Sequence, residues 1–285
     1  MGGWSLPDVP LTMTHSTLFS ALAVALFASV GQGQEPAPAG LAASALANQD
    51  FTWIHRDIPG FRVHFLADSY PARHQDSLLA RLPQALEHAE KLLQVESTPG
   101  PIDLFFVESR PQMETLIGGR ATGFAQPSAR AVFIMTNPEW RGFERHEIMH
   151  VVAQLSWGRS LPGNDWLQEG LAQFADGYCA GYRNSDIALE LAKKHGWIPF
   201  TDVLTRFRQQ SDLRAYLQAA AFVEYLHRRF GPAGIKQLWG EGDFRRVSFD
   251  GVPLVGVEGY WRDQLKPVRI PTPAELDRIE DKGCG

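Results

Sequence analysis

Residues 145–152 read Arg145-His146-Glu147-Ile148-Met149-His150-Val151-Val152, an apolar helical pattern that carries two histidines four positions apart. On a helix, positions i and i+4 lie about 5–6 Å apart at Cβ, so two imidazoles can converge on one ion. Zinc takes nitrogen ligands at about 2.0–2.1 Å, which this pair supplies without bending the backbone. Glu147 is rotated by about 100° from His146, given 3.6 residues per turn. That offset takes it out of the ligand set but keeps it within reach of a water at the ion. A carboxylate there can accept the water's proton and later pass it to a leaving amine.

Two histidines do not complete a tetrahedral site. Downstream, Gly158 to Gly163 (GRSLPG) reads as a turn, and Asp165 opens a second helix, with Gln168 three residues on as a capping-box pattern. On the first turn of that helix lies Glu169, in Trp166-Leu167-Gln168-Glu169-Gly170. Eighteen residues separate His150 from Glu169, enough for one helix to end and another to fold back. The expected site is one Zn2+ held by His146, His150 and Glu169, with the fourth position open and Glu147 as general base. Asp176 follows Glu169 by seven residues and returns to nearly the same face. It is read either as the acceptor for the outer N–H of a ligand histidine or as a solvated surface carboxylate. The bland alternative for His146 and His150 is a pair of histidines on an ordinary amphipathic helix.

Outward from this centre the chain divides in two. Phe61 to Leu66, Pro101 to Val107 and Ala131 to Met135 read as strands; Ser77 to Val95 and Arg110 to Ile117 read as helices, the first with Pro83 as a blemish. After Asn137-Pro138 the pattern is mostly helical, over 142–156, 165–177, 185–195, 211–230, 233–239 and 257–265, with Gly231-Pro232 as a stop signal. The fold class expected is α+β: a small mixed-sheet lobe, then a helical lobe, with the zinc site between them.

No Lys or Arg occurs from Met1 to His55, although the chain holds 27. Inside that stretch Leu18 to Val30 (LFSALAVALFASV) is almost purely apolar, and small residues follow it. It reads as a secretory signal peptide over 1–33, with Met13 as an alternative start. At 13 residues it is short for a membrane span, which takes about 20, so no stable span is expected after cleavage. The alternative is a buried N-terminal helix. Residues 34–50 read as a linker, 51–270 as the catalytic domain, and 271–285 as a solvated tail. The expected location is therefore exported: periplasm, envelope or medium. Two cysteines, Cys179 and Cys284, make no disulfide framework and are left as structural or free. A formal net charge of −5 and the lack of a basic block exclude nucleic acid as an expected partner. The partner expected is a peptide or protein substrate.

Other histidines carry less. His195 ends a helix before Gly196 and reads as a dipole partner; His55, His64, His74, His88 and His227 have no ligand-spaced neighbours. Trp157 and Trp166 flank the ligand loop and are expected to pack it.

The motif His146-Glu147-x-x-His150, eighteen residues and then Glu169-Gly170-Leu171-Ala172 resembles the gluzincin metallopeptidases, in the spacing of their aminopeptidase-N-like branch. The run Tyr216-Leu-Gln-Ala-Ala-Ala-Phe-Val-Glu-Tyr-Leu, ending Arg-Arg-Phe-Gly231, is similar to the helix that follows the active site in peptidase-MA-like domains. The resemblance implies that Tyr216 donates a hydrogen bond to the oxyanion of a tetrahedral intermediate; the alternative is an ordinary packed aromatic. It also implies a sheet edge over the zinc helix on which substrate backbone pairs. Ala131 to Met135 is the expected edge. The aminopeptidase-N-like enzymes carry a G-x-M-E-N run whose Glu holds the substrate's amino terminus. Here the corresponding stretch, Thr122-Gly-Phe-Ala-Gln-Pro-Ser-Ala-Arg130, has no acidic residue. The function expected is therefore a zinc endopeptidase. An aminopeptidase of the same clan and a non-catalytic zinc-bearing envelope module stand as alternatives.

Overall fold

The structure is a computed structural model and describes residues 40–284. The apolar run at 18–30 and the signal-peptide reading of 1–33 lie outside the described residues.

Five strands form one mixed sheet: β1 (Trp53–Ile58), β2 (Phe61–Leu66), β3 (Ile102–Val107), β4 (Gly123–Gln126) and β5 (Ala131–Met135), in the order β1-β2-β3-β5-β4. The outer pairs β1–β2 and β4–β5 are antiparallel; β2–β3 and β3–β5 are parallel. Around the sheet pack α1 (Leu41–Ala47), α2 (Tyr70–Arg73), α3 (Gln75–Leu93) and α4 (Arg110–Ile117). The rest is mostly helical: α5 (Glu144–Trp157), α6 (Asp165–Asp176), α7 (Asn184–His195), α8 (Phe200–Thr205), α9 (Asp212–Trp239), α10 (Leu254–Gln264) and α11 (Pro273–Lys282). Two short hairpins interrupt it, β6–β7 (Tyr178–Cys179, Tyr182–Arg183) and β8–β9 (Ser248–Phe249, Val252–Pro253). The architecture is thus α+β, a small mixed sheet followed by helices. Among the described residues no helix is long and apolar enough to cross a membrane.

The sheet is buried on both faces. Val63, Phe65, Leu104, Phe106, Val132 and Ile134 join the large core that includes α3 and α5, while Phe105, Val107, Phe133 and Met135 pack with Met113, Leu116 and Ala45. Strand β5 is therefore wholly buried and lies between β3 and β4. The sheet edge on this side is β4, which corrects the expectation for Ala131–Met135. An uninterrupted apolar pentad is the composition of an interior strand covered on two faces.

Three further expectations are revised. The stretch read as linker contains α1, whose Ala45 is buried and whose carbonyl accepts from Trp53 Nε1 at 3.0 Å. The stretch read as a solvated tail contains α11, with Leu276 and Ile279 buried and a Thr272/Glu275 capping box. Its neighbour Cys284 is disulfide-bonded to Cys179. At α6 the N-cap is Asn164, not Asp165, and no side chain caps the helix. Asn164 is fully buried, and its amide donates to the carbonyls of Leu238 and Trp239, each at 3.1 Å, tying the start of α6 to the end of α9.

Helix α3 runs through Pro83, which lies on its exposed side. Along α9, Gly231 leaves helical geometry (φ 66°, ψ −177°), so the expected break after Phe230 is present. Helices α6 and α9 cross closely at Gly170, where an added Cβ would meet the Ala219 carbonyl carbon and Val223 Cγ2 at 3.0 Å. Both tryptophans pack as expected: Trp166 lies among Phe200, Phe222 and Phe244, and Trp157 meets Trp239 edge-on.

Candidate metal centre

Helix α5 presents His146 and His150 from successive turns, and α6 brings Glu169 to them. The two Nε2 atoms are 3.2 Å apart, and Glu169 Oε2 lies 3.3 Å from His146 Nε2 and 3.4 Å from His150 Nε2. Zinc held tetrahedrally at about 2.0–2.1 Å needs donors about 3.3–3.4 Å apart. All three edges of the donor triangle agree with that figure, so the residues fit the ion. Among the described residues this is the one group of three His, Cys, Asp or Glu side chains converging in this way. Burial alone would raise the Glu169 carboxyl, but His150 and His146 hold it well below the usual carboxylate range.

Glu147 is buried and does not belong to the triangle. Burial pushes its carboxyl up to about 7, with His146 opposing and the Glu169 charge adding to the rise. Its other neighbour is the edge strand. A Cβ built on Gly123 would stand 2.3 Å from Glu147 Oε1 and 3.0 Å from its Cγ. Only a glycine leaves room for this carboxylate beneath β4. Gly123→Ala is therefore expected to displace Glu147 and, on the reading of that carboxylate as general base, to lower kcat by about 10–100-fold, with metal uptake retained. Turnover equal to wild type would show that Glu147 has another place to sit.

Tyr216, on the first turns of α9, stacks nearly parallel to His146, with centroids 6.2 Å apart and planes at 12°. Its hydroxyl oxygen accepts from Arg208 Nη1 at 3.2 Å. Asp176, the last residue of α6, is buried and accepts from Arg141 Nη2 at 2.7 Å. Burial raises its carboxyl, with Arg141, His146 and Arg145 opposing. Its side chain thus pairs with Arg141, and its charge reaches His146 through space.

The donor triangle, Glu147, Tyr216 and Arg208 line one cleft of about 1340 Å³. Gly123 to Ala125 of β4 form one wall with Trp140 and Phe143; His146, Glu147 and His150 form the floor. Arg278, Asp281, Lys282 and Cys284, from α11 and just beyond it, form part of another wall. The structure brings together every residue expected at the centre, apart from the different partner of Asp176. Sequence reasoning missed Gly123, Arg208 and the C-terminal wall. Arg208 lies 39 residues from Glu169 and follows no spacing rule, so no local signal marks it. The histidines without ligand-spaced neighbours include one pair that strand register brings together: His55 Nδ1 is 2.7 Å from His64 Nδ1, and His64 Nε2 is 3.2 Å from Asp103 Oδ1. His195 closes α7, where its Nε2 meets Glu280 Oε1 at 2.6 Å.

No protein-family model matches this chain, and no curated protein sequence matches it. Among solved structures it is similar to yeast LTA4 hydrolase in complex with bestatin, at 14% identity and a TM-score of 0.32, over 80% of this chain and 36% of that one. It is also similar to an aminopeptidase N family protein from Idiomarina loihiensis, at 12% identity and a TM-score of 0.39, over 80% of this chain and 49% of that one. The chain thus matches less than half the length of either structure. Likenesses at these values bear on neither activity nor substrate.

Proposed function

We propose that this chain is an exported zinc-dependent endopeptidase. The observation that carries the reading is the donor triangle of His146, His150 and Glu169, with edges of 3.2–3.4 Å and a buried carboxylate beside it under a sheet edge. Zinc, when bound by these three residues, supplies a Lewis acid that polarises the scissile carbonyl and makes water acidic. Glu147 accepts the proton of the attacking water and returns it to the nitrogen of the departing amine. Tyr216 donates a hydrogen bond to the oxygen that gains charge as the carbonyl carbon becomes tetrahedral. The outer edge of β4, unpaired among the described residues, pairs with the backbone of an extended substrate.

The endopeptidase reading is supported by β4 itself, whose Gly123, Phe124, Ala125 and Gln126 offer no carboxylate to a free amino terminus. Export is supported by the apolar run at 18–30 and by the Cys179–Cys284 disulfide, a bond that persists in oxidising compartments.

The test incubates zinc-loaded protein, beside the same protein stripped by a chelator, with a complex peptide library and maps the new termini by mass spectrometry. Internal cuts that require zinc are expected. Stepwise trimming from the amino end would replace the endopeptidase by an aminopeptidase. Zinc uptake without any cut would leave a binding module, and failure to take up zinc would overturn the centre altogether.

A further inference from the structure

Arg208, in the single turn Phe207–Gln209 after α8, touches two residues of the cleft, Glu169 and Tyr216, and Asp165 beside them. Its Nη2 donates to Glu169 Oε1 at 2.9 Å and to Asp165 Oδ1 at 3.0 Å, and its Nη1 donates to the Tyr216 hydroxyl at 3.2 Å. The two oxygens of Glu169 therefore have separate duties. Oε2 faces the imidazole pair at 3.3 and 3.4 Å, while Oε1 is occupied by the guanidinium. A carboxylate without such a partner is free to turn and offer either oxygen, or both. A guanidinium also has no lone pair to give, so in the contact with Tyr216 the phenol is the acceptor.

We propose that Arg208 is the positioning residue of this centre: it fixes Glu169 as a one-oxygen ligand and sets Tyr216 at a constant distance from it. The inference rests on the metallopeptidase reading. The guanidinium is planar, so the donors on Nη1 and Nη2 keep a fixed angle, and Glu169 Oε1 and the phenol oxygen are held in one plane. Asp165 anchors the fork at the start of α6, the helix that carries Glu169. Through this contact the phenol on α9 and the ligand on α6 move as one unit. Lysine, a point charge on a flexible stem, cannot serve three acceptors at fixed angles.

The test compares wild type, Arg208→Ala and Arg208→Lys in three measurements: cobalt(II) uptake with its visible spectrum, zinc affinity against a competing chelator, and kcat and KM on a peptide that wild type cuts. Wild type is expected to give the intense visible bands of four-coordinate cobalt. Both variants are expected to show weaker bands as the released carboxylate turns both oxygens inward. Zinc affinity and kcat should each fall by about 10–100-fold, the range for residues that orient ligands. Guanidinium ion added to Arg208→Ala should restore part of the spectrum and of kcat, which no general loss of folding would allow. Variants with wild-type spectra, affinity and kcat would overturn the role of Arg208 while leaving the metal centre standing. If either variant fails to fold, the other carries the comparison. A wild-type protein that takes up neither cobalt nor zinc would remove the metallopeptidase reading, and this inference with it.

Discussion

Glu147→Gln is expected to lower kcat by about 10²–10⁴-fold, the range for removal of a positioned general base, while zinc uptake stays at the wild-type level. The substitution keeps the shape of the side chain beneath Gly123 and removes only the capacity to hold a proton. Glu147 stands outside the donor triangle, so an ion bound there would keep its three protein ligands. The variant should melt no lower than wild type, because a buried carboxyl whose charged form carries a large desolvation cost becomes a neutral amide. This combination of lost turnover, kept metal and kept stability separates a chemical role from a structural one. A Glu147→Gln enzyme with even a tenth of wild-type kcat would assign proton transfer to another group.

The second large effect concerns stability. Cys179 and Cys284 close a loop with a sequence separation of 105. In the chain-entropy model a loop of about 100 residues corresponds to about 4.7 kcal/mol, and loss of a native disulfide commonly costs about 2–5 kcal/mol. The double variant Cys179→Ser, Cys284→Ser is expected to lose an amount in that range, seen as a melting temperature lower by roughly 5–15 °C for a domain of this size. The other anchors of α11 are weaker. Lys194 reaches Asp277 at 2.7 Å and Glu280 at 2.5 Å, His195 reaches Glu280 at 2.6 Å, and these pairs sit in water. The buried pair Leu276 and Ile279 keeps some hold. Because α11 forms a wall of the cleft but carries none of the donor triangle, the variant should still bind zinc, and its KM should rise more than its kcat falls. An unchanged melting temperature would mean that the apolar contacts alone seat the helix.

Much of the centre was legible because helices announce themselves over many residues. The apolar positions around His146 and His150, the eighteen-residue interval and Glu169 define two helices and their donors through periodicity alone. The sheet is less legible. Strand β4 is four residues long, each half-buried, with no alternation to mark it. Ala131–Met135 has the apolar composition of an interior strand, and only the short β4 beyond it makes the edge. Asp165 has the letters of a cap, but its carboxylate is engaged by Arg208, so the ion pair took precedence over the local hydrogen bond. Thr272-Pro273-Ala274-Glu275 held a capping box in plain sight; the polar residues around it suggested solvent, and two apolar side chains were too few to suggest a docked helix. Contacts set only by tertiary folding, such as Arg208 on Glu169 or His55 on His64, left no trace in linear spacing.

The cleft also has a history in time. A ribosome delivers β4 at residues 123–126, the donors by residue 169 and the phenol at 216, yet the wall containing Cys284 comes more than a hundred residues after the first of these. Until that wall has been made, the cleft lacks one side. Enclosure of this site is therefore the last step in the order of synthesis, and the Cys179–Cys284 bond fastens it once made.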